Sequence, residues 1–186
     1  MSGKPMTFRA FRHCILLLIA LGLSACAQLG NSGGSAPPPP TLPERVEAAT
    51  QRLLEANPEA TRYSPMIAAT FVSIDNLAQS STLGRIASEL FASSLAQAGM
   101  QVREVKMRDS LFIEENVGEL ILSRQVQRLS QEHNARSILM GTYAQGENTV
   151  YISARIVRAS DAMVLGSTSL TLPIDNDLRA MLGGGW

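Results

Sequence analysis

Side chains that could act as nucleophiles or metal ligands are few in this chain of 186 residues. It contains two cysteines, Cys14 and Cys26, and two histidines, His13 and His133. His133 stands without clustered acidic residues, which makes it a poor metal site. The sequence has no Gly-x-Ser-x-Gly elbow and no glycine-rich phosphate loop followed by a helix. It therefore predicts no enzyme activity, no metal site and no cofactor.

Cys26 is the residue whose surroundings do point to chemistry. Residues 1–13 carry basic side chains and no acid, and residues 14–23 are almost wholly apolar. A basic region, an apolar run of roughly 7–15 residues and then small residues are typical of a secretory signal. The alternative is an uncleaved anchor, but the run is about half of the roughly 20 residues that a membrane-spanning helix needs. We therefore expect residues 1–25 to be a cleaved signal peptide.

The end of this segment, Leu23-Ser24-Ala25-Cys26, resembles the bacterial lipobox. The resemblance implies cleavage after Ala25 and attachment of lipid to the thiol of Cys26. Stable membrane attachment takes two or more acyl chains, so the new amino group should be acylated as well. Ala27 stands where lipoproteins retained in the inner membrane commonly carry aspartate, which implies an outer-membrane location.

The charge balance argues against nucleic acid as a partner. The whole chain has 16 basic and 16 acidic residues. The predicted signal removes Lys4, Arg9 and Arg12 and no acid, so the mature chain has a net charge of −3. Such a chain has no basic field that would attract nucleic acid.

Two arginines are candidates for contact with a protein partner. Gly84-Arg85 and Ser123-Arg124 each place an arginine in the first turn of a predicted helix, where the helix dipole disfavours a cation. Two interpretations are open: a structural hydrogen bond to loop carbonyls, or a contact with a carboxylate or another anionic group of a partner. Arg85 and Arg124 are therefore predicted as partner-contact residues.

Hydrophobic periodicity predicts a single α/β domain with a mixed sheet and helices packed on it. Helices are predicted from Thr41 to Pro58, from Leu83 to Gly99 and from Ser123 to about His133. Strands are predicted over 66–74, 101–107, 119–122, 137–145, 149–158 and 163–172. The start reads β-α-β, and the last three strands alternate as an antiparallel meander with one wetter face.

The domain organisation follows from composition. Residues 1–25 form the signal peptide, and 26–41 form a lipid-anchored Gly/Ser/Pro linker that would hold the domain off the membrane. An N-terminal amphipathic helix covers 42–64, and the α/β domain covers 65–174. The tail, 175–186, lacks a clear hydrophobic period. For Trp186, a frayed or self-packed end is favoured over docking on a partner.

Several short motifs of the α/β domain resemble those of one bacterial family. They are Ile67–Ile74 followed by Asp75, Leu83-Gly84-Arg85, Leu122-Ser123-Arg124, and Gly141-Thr142-Tyr143 followed by two strands. Together, over roughly 65–174, they resemble the FlgO family of outer-membrane lipoproteins tied to flagellar motility. The wider group that the chain is similar to includes the curli-secretion lipoprotein, peptidoglycan-synthase activators and the amino-terminal domain of the Tol translocation protein.

This resemblance implies a non-catalytic assembly factor for the flagellum. The protein would be an outer-membrane lipoprotein facing the periplasm or the cell surface, with envelope or flagellar proteins as partners; a homo-oligomer is left open. The alternative is a regulator of a peptidoglycan synthase or of another periplasmic complex. A regulator of a synthase would have to reach across the periplasm. The linker is short for this, since about 17 residues span at most about 3.3–3.6 Å each. A secretion pore is disfavoured because no extra pair of strands of about 9–11 alternating residues is available.

Overall fold

The fold is built around one mixed sheet with helices packed on it. The computed structural model describes residues 38–77, 79–103, 128 and 130–183. The helices are α1 (Leu42–Ala56), α2 (Thr82–Gln97) and α3 (Asn176–Gly183), with a 3-10 helix at Pro58–Tyr63. The strands are β1 (Met66–Ala68), β2 (Val72–Ser73), β3 (Val102–Arg103), β4 (Ser137–Gln145), β5 (Thr149–Arg158) and β6 (Val164–Pro173).

The sheet has the order β3-β1-β4-β5-β6, and the short β2 pairs with β4. Strands β3, β1 and β4 are parallel, while β4, β5 and β6 are antiparallel. This arrangement confirms the predicted α/β class, the β-α-β start and the antiparallel meander.

Helix α1 begins where the sequence indicates a start. The side chain of Glu44 accepts a hydrogen bond from the backbone N–H of Thr41, at 2.7 Å, and completes a capping box. Val46, Ala49 and Leu53 form its buried side, which packs against β6 and α2. The helix ends at Asn57, because Pro58 cannot continue it.

Helix α2 also matches its predicted period. Ser81 caps it by accepting a hydrogen bond from the N–H of Gly84, at 3.3 Å. Its inward residues belong to the main core, and the chain leaves the helix through Gly99, whose φ of +92° suits glycine. The buried inward residues of α2 are Leu83, Ala87, Phe91 and Leu95.

The two faces of the sheet differ in what covers them. Side chains alternate along a strand, so one face receives every second residue. On β5 the residues Val150, Ile152, Ala154 and Ile156 are buried in the main core with α1 and α2. Tyr151, on the other face, is 56% exposed. Each large apolar side chain buried on the helix face stabilises the fold by about 1.5–3 kcal/mol.

The prediction of one continuous strand over 66–74 is wrong. The strand is interrupted between Ala68 and Val72, and Phe71 turns into the main core, where its ring lies 5.5 Å from that of Phe91. In place of a regular ladder, the N–H of Phe71 donates to the carbonyl of Gly84 at 3.3 Å. The interruption therefore exchanges strand pairing for burial of an aromatic ring.

The segment for which the sequence shows no clear period contains helix α3. The carboxylate of Asp175 accepts a hydrogen bond from the N–H of Leu178, at 2.8 Å, and caps the helix. Leu178 is buried in the main core, and Met181 and Leu182 pack against it. Helix α3 is therefore an integral element of the domain.

Several predicted segments lie outside the described residues. They are the signal peptide, most of the linker, residues 104–107 of the predicted second strand, the predicted strand 119–122, most of the predicted helix from Ser123, and Trp186. Of that helix, Arg128 and residues 130–133 are described and are helical, and Asn134 follows with a φ of +48°.

Candidate functional site: a groove on the open face of the sheet

A groove of about 540 Å³ crosses the face of the sheet opposite α1 and α2. It lies between the connection that follows β1 and the turn that joins β5 to β6. We call it the sheet groove. Its lining comprises Ala69, Thr70, Val72, Ile74, Leu77, Met140, Gly141, Thr142, Ser153, Arg155, Val157, Ala162 and Val164.

The floor of the sheet groove is set by strand register. Met140 of β4 lies opposite Arg155 of β5, and Thr142 lies opposite Ser153. Because side chains two residues apart share a face, these residues project to the same side of the sheet. A smaller hollow of about 170 Å³ continues the groove towards Tyr151.

One wall of the sheet groove is formed by the β1–α2 connection, which backbone hydrogen bonds hold in place. The N–H of Ile74 donates to the carbonyl of Tyr143 at 2.9 Å, and the N–H of Ser73 donates to the carbonyl of Gln79 at 2.9 Å. Ile74 is nevertheless 56% exposed. This wall therefore presents an apolar side chain to solvent from a fixed backbone.

The same connection explains two of the short motifs singled out in the sequence. A Cβ at Gly141 would overlap the ring of Phe71, and a Cβ at Gly84 would overlap the carbonyl oxygen of Phe71. The hydroxyl of Ser80 also donates to that carbonyl, at 2.8 Å. The glycines of Leu83-Gly84-Arg85 and Gly141-Thr142-Tyr143 therefore make room for Phe71, which is a packing role.

Charge in the sheet groove comes from Arg155, which is exposed. Among the described residues, no carboxylate lies within salt-bridge distance of its guanidinium. Arg158, three residues further along β5, is different, because it pairs with Asp161 at 2.6 Å. Hydrogen bonds from Arg158 hold the pKa of the Asp161 carboxyl below its ordinary value. Among the described residues that line the sheet groove, Arg155 is thus the only charged one, and it has no ion-pair partner among the described residues.

The residues predicted as functional lie apart from the sheet groove or outside the described part of the chain. Arg85 is half-buried in the first turn of α2, and its guanidinium donates to the hydroxyl of Thr82 at 3.1 Å. Its role as a partner contact stays a prediction. Arg124 and the predicted lipidation site Cys26 lie outside the described residues.

The sequence contained a partial signal for the sheet groove. The alternation along β5 places Tyr151, Ser153 and Arg155 on the face opposite the core residues. The turn residue Ala162, the first residue of β6, Val164, and the wall residue Ile74 approach that face only through long-range register. Periodicity in one strand could not reveal that contact.

The described part of the chain contains neither a cluster of metal ligands nor a helix that could span a membrane. Within it, no group of three or more His, Cys, Asp and Glu side chains could hold a metal ion. No helix among the described residues is both long enough and apolar enough to cross a bilayer.

Several solved structures are similar to this chain at low sequence identity. The C-terminal domain of LpoB from Salmonella enterica is 11% identical, with 68% of this chain and 97% of that chain covered and a TM-score of 0.45. Lipoprotein GNA1162 from Neisseria meningitidis is 22% identical over 60% and 81% of the two chains, with a TM-score of 0.41. The PelC dodecamer from Paraburkholderia phytofirmans is 18% identical over 61% and 73%, with a TM-score of 0.37.

One protein family matches most of the sequence. No curated protein matches the chain. The family described as FlgO protein matches residues 47–177, a range that runs from α1 into α3 and includes the whole sheet. Since this range covers well over half of the sequence, the chain belongs to the FlgO family.

Proposed function

We propose that the protein is an outer-membrane lipoprotein that acts as a non-catalytic assembly factor for the flagellum. The observation that carries this proposal is the match to the FlgO family over residues 47–177. That match supports an envelope lipoprotein, and the lipobox-like segment ending at Cys26 supports a lipid anchor. The domain would act through contacts with envelope or flagellar proteins.

The proposal assigns the domain a binding role and no reaction. If residues 1–25 are removed, the mature chain keeps a single histidine, and Cys26 is consumed by lipid. The motif glycines Gly84 and Gly141 are occupied with packing around Phe71. Contact surfaces such as the sheet groove are what such a domain offers to other proteins.

Deletion of the gene tests the proposal. We expect the deletion strain to lose swimming in soft agar and to show defective flagella by electron microscopy. The wild-type gene should restore swimming, whereas the Cys26→Ala variant should not, because an unanchored domain would leave the outer membrane. The Cys14→Ala variant is the matched control, since it changes the other cysteine and leaves the lipobox intact.

The outcome that would contradict the proposal is a deletion strain with normal flagella and normal swimming. If that strain also showed altered peptidoglycan synthesis, the alternative of a synthase regulator would take its place.

A further inference from the structure

We infer that the sheet groove docks a segment of a partner protein that presents apolar side chains together with a carboxylate, and that the carboxylate pairs with Arg155. This inference rests on the proposed function only in taking the partner to be a protein. It names the surface and the chemistry of the contact, which the family assignment does not.

The apolar part of the inference follows from side chains that the fold leaves exposed along the sheet groove. Ile74 is 56% exposed, Tyr151 is 56%, and Val164 is 51%. Large apolar side chains clustered on one surface mark interaction sites, and tyrosine is common where binding energy concentrates.

The acidic part of the inference follows from Arg155. It lies at the floor of the groove between Met140 of β4 and Ser167 of β6. No carboxylate among the described residues is within reach of it, in contrast to Arg158 with its Asp161. A partner that buried Arg155 without supplying an anion would leave a desolvated, unpaired charge, which is costly. A carboxylate on the partner removes that cost.

Charge also decides between a protein segment and two other occupants. Binding to an anionic lipid surface accumulates from several basic side chains, each contributing about 1 kcal/mol, and Arg155 is the only charged residue lining the described groove. A second copy docked face to face about a two-fold axis would bring two Arg155 side chains together, and like charges repel. A hetero-partner with an acidic residue avoids both difficulties.

The size of the site suits a short segment. The groove of about 540 Å³ lies within the roughly 300–1,000 Å³ common for binding pockets. Its continuation of about 170 Å³ towards Tyr151 lengthens it along the strands. It can therefore receive a few consecutive side chains of a bound segment.

Selection from a displayed library of random 12-residue peptides on the purified full-length chain tests the inference without knowledge of the partner. We expect the enriched peptides to combine apolar residues with at least one Asp or Glu. Binding of a synthetic enriched peptide should weaken about fivefold or more for Arg155→Glu, since reversal turns attraction into repulsion. Replacement of the peptide's acid by lysine should restore affinity for that variant.

Arg179→Glu is the matched control, because Arg179 is exposed on α3 and is not part of the groove lining. It should leave peptide affinity unchanged. Ser153→Trp fills the groove floor without a change of charge and should also abolish binding. Thermal unfolding of each variant shows whether the fold is kept.

The inference would be overturned by enriched peptides that lack acidic residues, by equal affinity for the Arg155→Glu and Arg179→Glu variants, or by a selection that enriches nothing over the Ser153→Trp background. Self-association that is lost in the Arg155→Glu variant would overturn it in favour of a second copy of the chain. Binding to anionic vesicles and to no peptide would overturn it in favour of a lipid surface. Because these measurements do not involve swimming, their failure is distinguishable from failure of the flagellar proposal.

Discussion

Replacement of Gly141 by alanine should destabilise the domain because the added methyl group would overlap the ring of Phe71. That ring is fully buried and lies 5.5 Å from the ring of Phe91. Its backbone is also held, since the N–H of Phe71 donates to Gly84 and its carbonyl accepts from Ser80. The ring therefore cannot move aside without disturbing the core or the β1–α2 connection.

The expected size of the effect follows from the kind of clash. Overpacking of a well-packed core costs about 1–3 kcal/mol, and a domain of this size loses roughly 2–4 °C of Tm for each kcal/mol. Gly141→Ala should therefore lower Tm by roughly 2–12 °C. Phe71→Ala should cost about 3–5 kcal/mol through loss of the buried ring.

The double variant separates a steric clash from a general effect of the added methyl group. Without the Phe71 ring, alanine at position 141 has room. The Gly141→Ala and Phe71→Ala effects should therefore sum to more than the effect of the double variant, by about 0.5–3 kcal/mol. Gly183→Ala is the matched control, because no atom of the described residues lies within 4 Å of a Cβ at Gly183, and it should change stability by no more than about 0.5 kcal/mol.

Thermal and urea unfolding of the full-length variants, followed by circular dichroism, measures these differences. The reasoning would be refuted if Gly141→Ala unfolded at the same temperature as Gly183→Ala, or if the two substitutions were fully additive in the double variant.

Three further predictions concern polar contacts, and all can be measured by urea unfolding. Ser88→Ala should cost about 1–3 kcal/mol, because the Ser88 hydroxyl donates to the carbonyl of Ala69 at 2.8 Å in a buried position; an unchanged midpoint would contradict this. Asp175→Ala should cost about 0.5–2 kcal/mol by removing the cap of α3, and a loss of helix signal without loss of stability would speak against α3 as part of the core. Asp161→Asn should lower stability at neutral pH, because the pKa of Asp161 in the folded state is held below its ordinary value by Arg158. That contribution is complete above the unfolded-state pKa of about 3.9 and disappears as pH falls through the lower folded-state pKa, so wild type and variant should converge in acid; a constant difference would exclude the ion pair as its source.

Regular elements with long apolar periods could be predicted from the sequence. The bounds of β4 and β5 are those predicted, and α2 differs by one or two residues at its ends. In these elements the local pattern and the tertiary environment agree, because each has one face towards the core. The capping residue Thr41 and the terminating Gly99 add local signals that are independent of the fold.

The break in the first strand could not be predicted in this way. Apolar residues run without interruption from Met66 to Ala69, and Phe71 is as compatible with a strand as its neighbours are. What turns it inward is space at Gly141 and Gly84, which are distant in sequence. Helix α3 could not be predicted for a related reason. It is short, and its apolar residues can be recognised as core residues only once the core formed by the other elements is known.

The candidate site, too, could be predicted from the sequence only in part. Alternation in β5 was sufficient to put Arg155 and Tyr151 on the wetter face. That this face forms a groove depends on Ile74, from the β1–α2 connection, and Val164, from the start of β6, lying at the same groove. The anchor at Cys26 is a matter of chemical modification, so it rests on local motif alone and remains a prediction.

Mass spectrometry of the mature protein, isolated from the envelope of its own host, tests the central claim that a folded binding domain is held at the membrane by lipid on one thiol. We predict an N-terminal Cys26 that carries a diacylglycerol thioether and an acylated amine, with residues 1–25 absent. A free sulfhydryl on Cys26, or a chain that still begins with residues 1–25, would contradict the account.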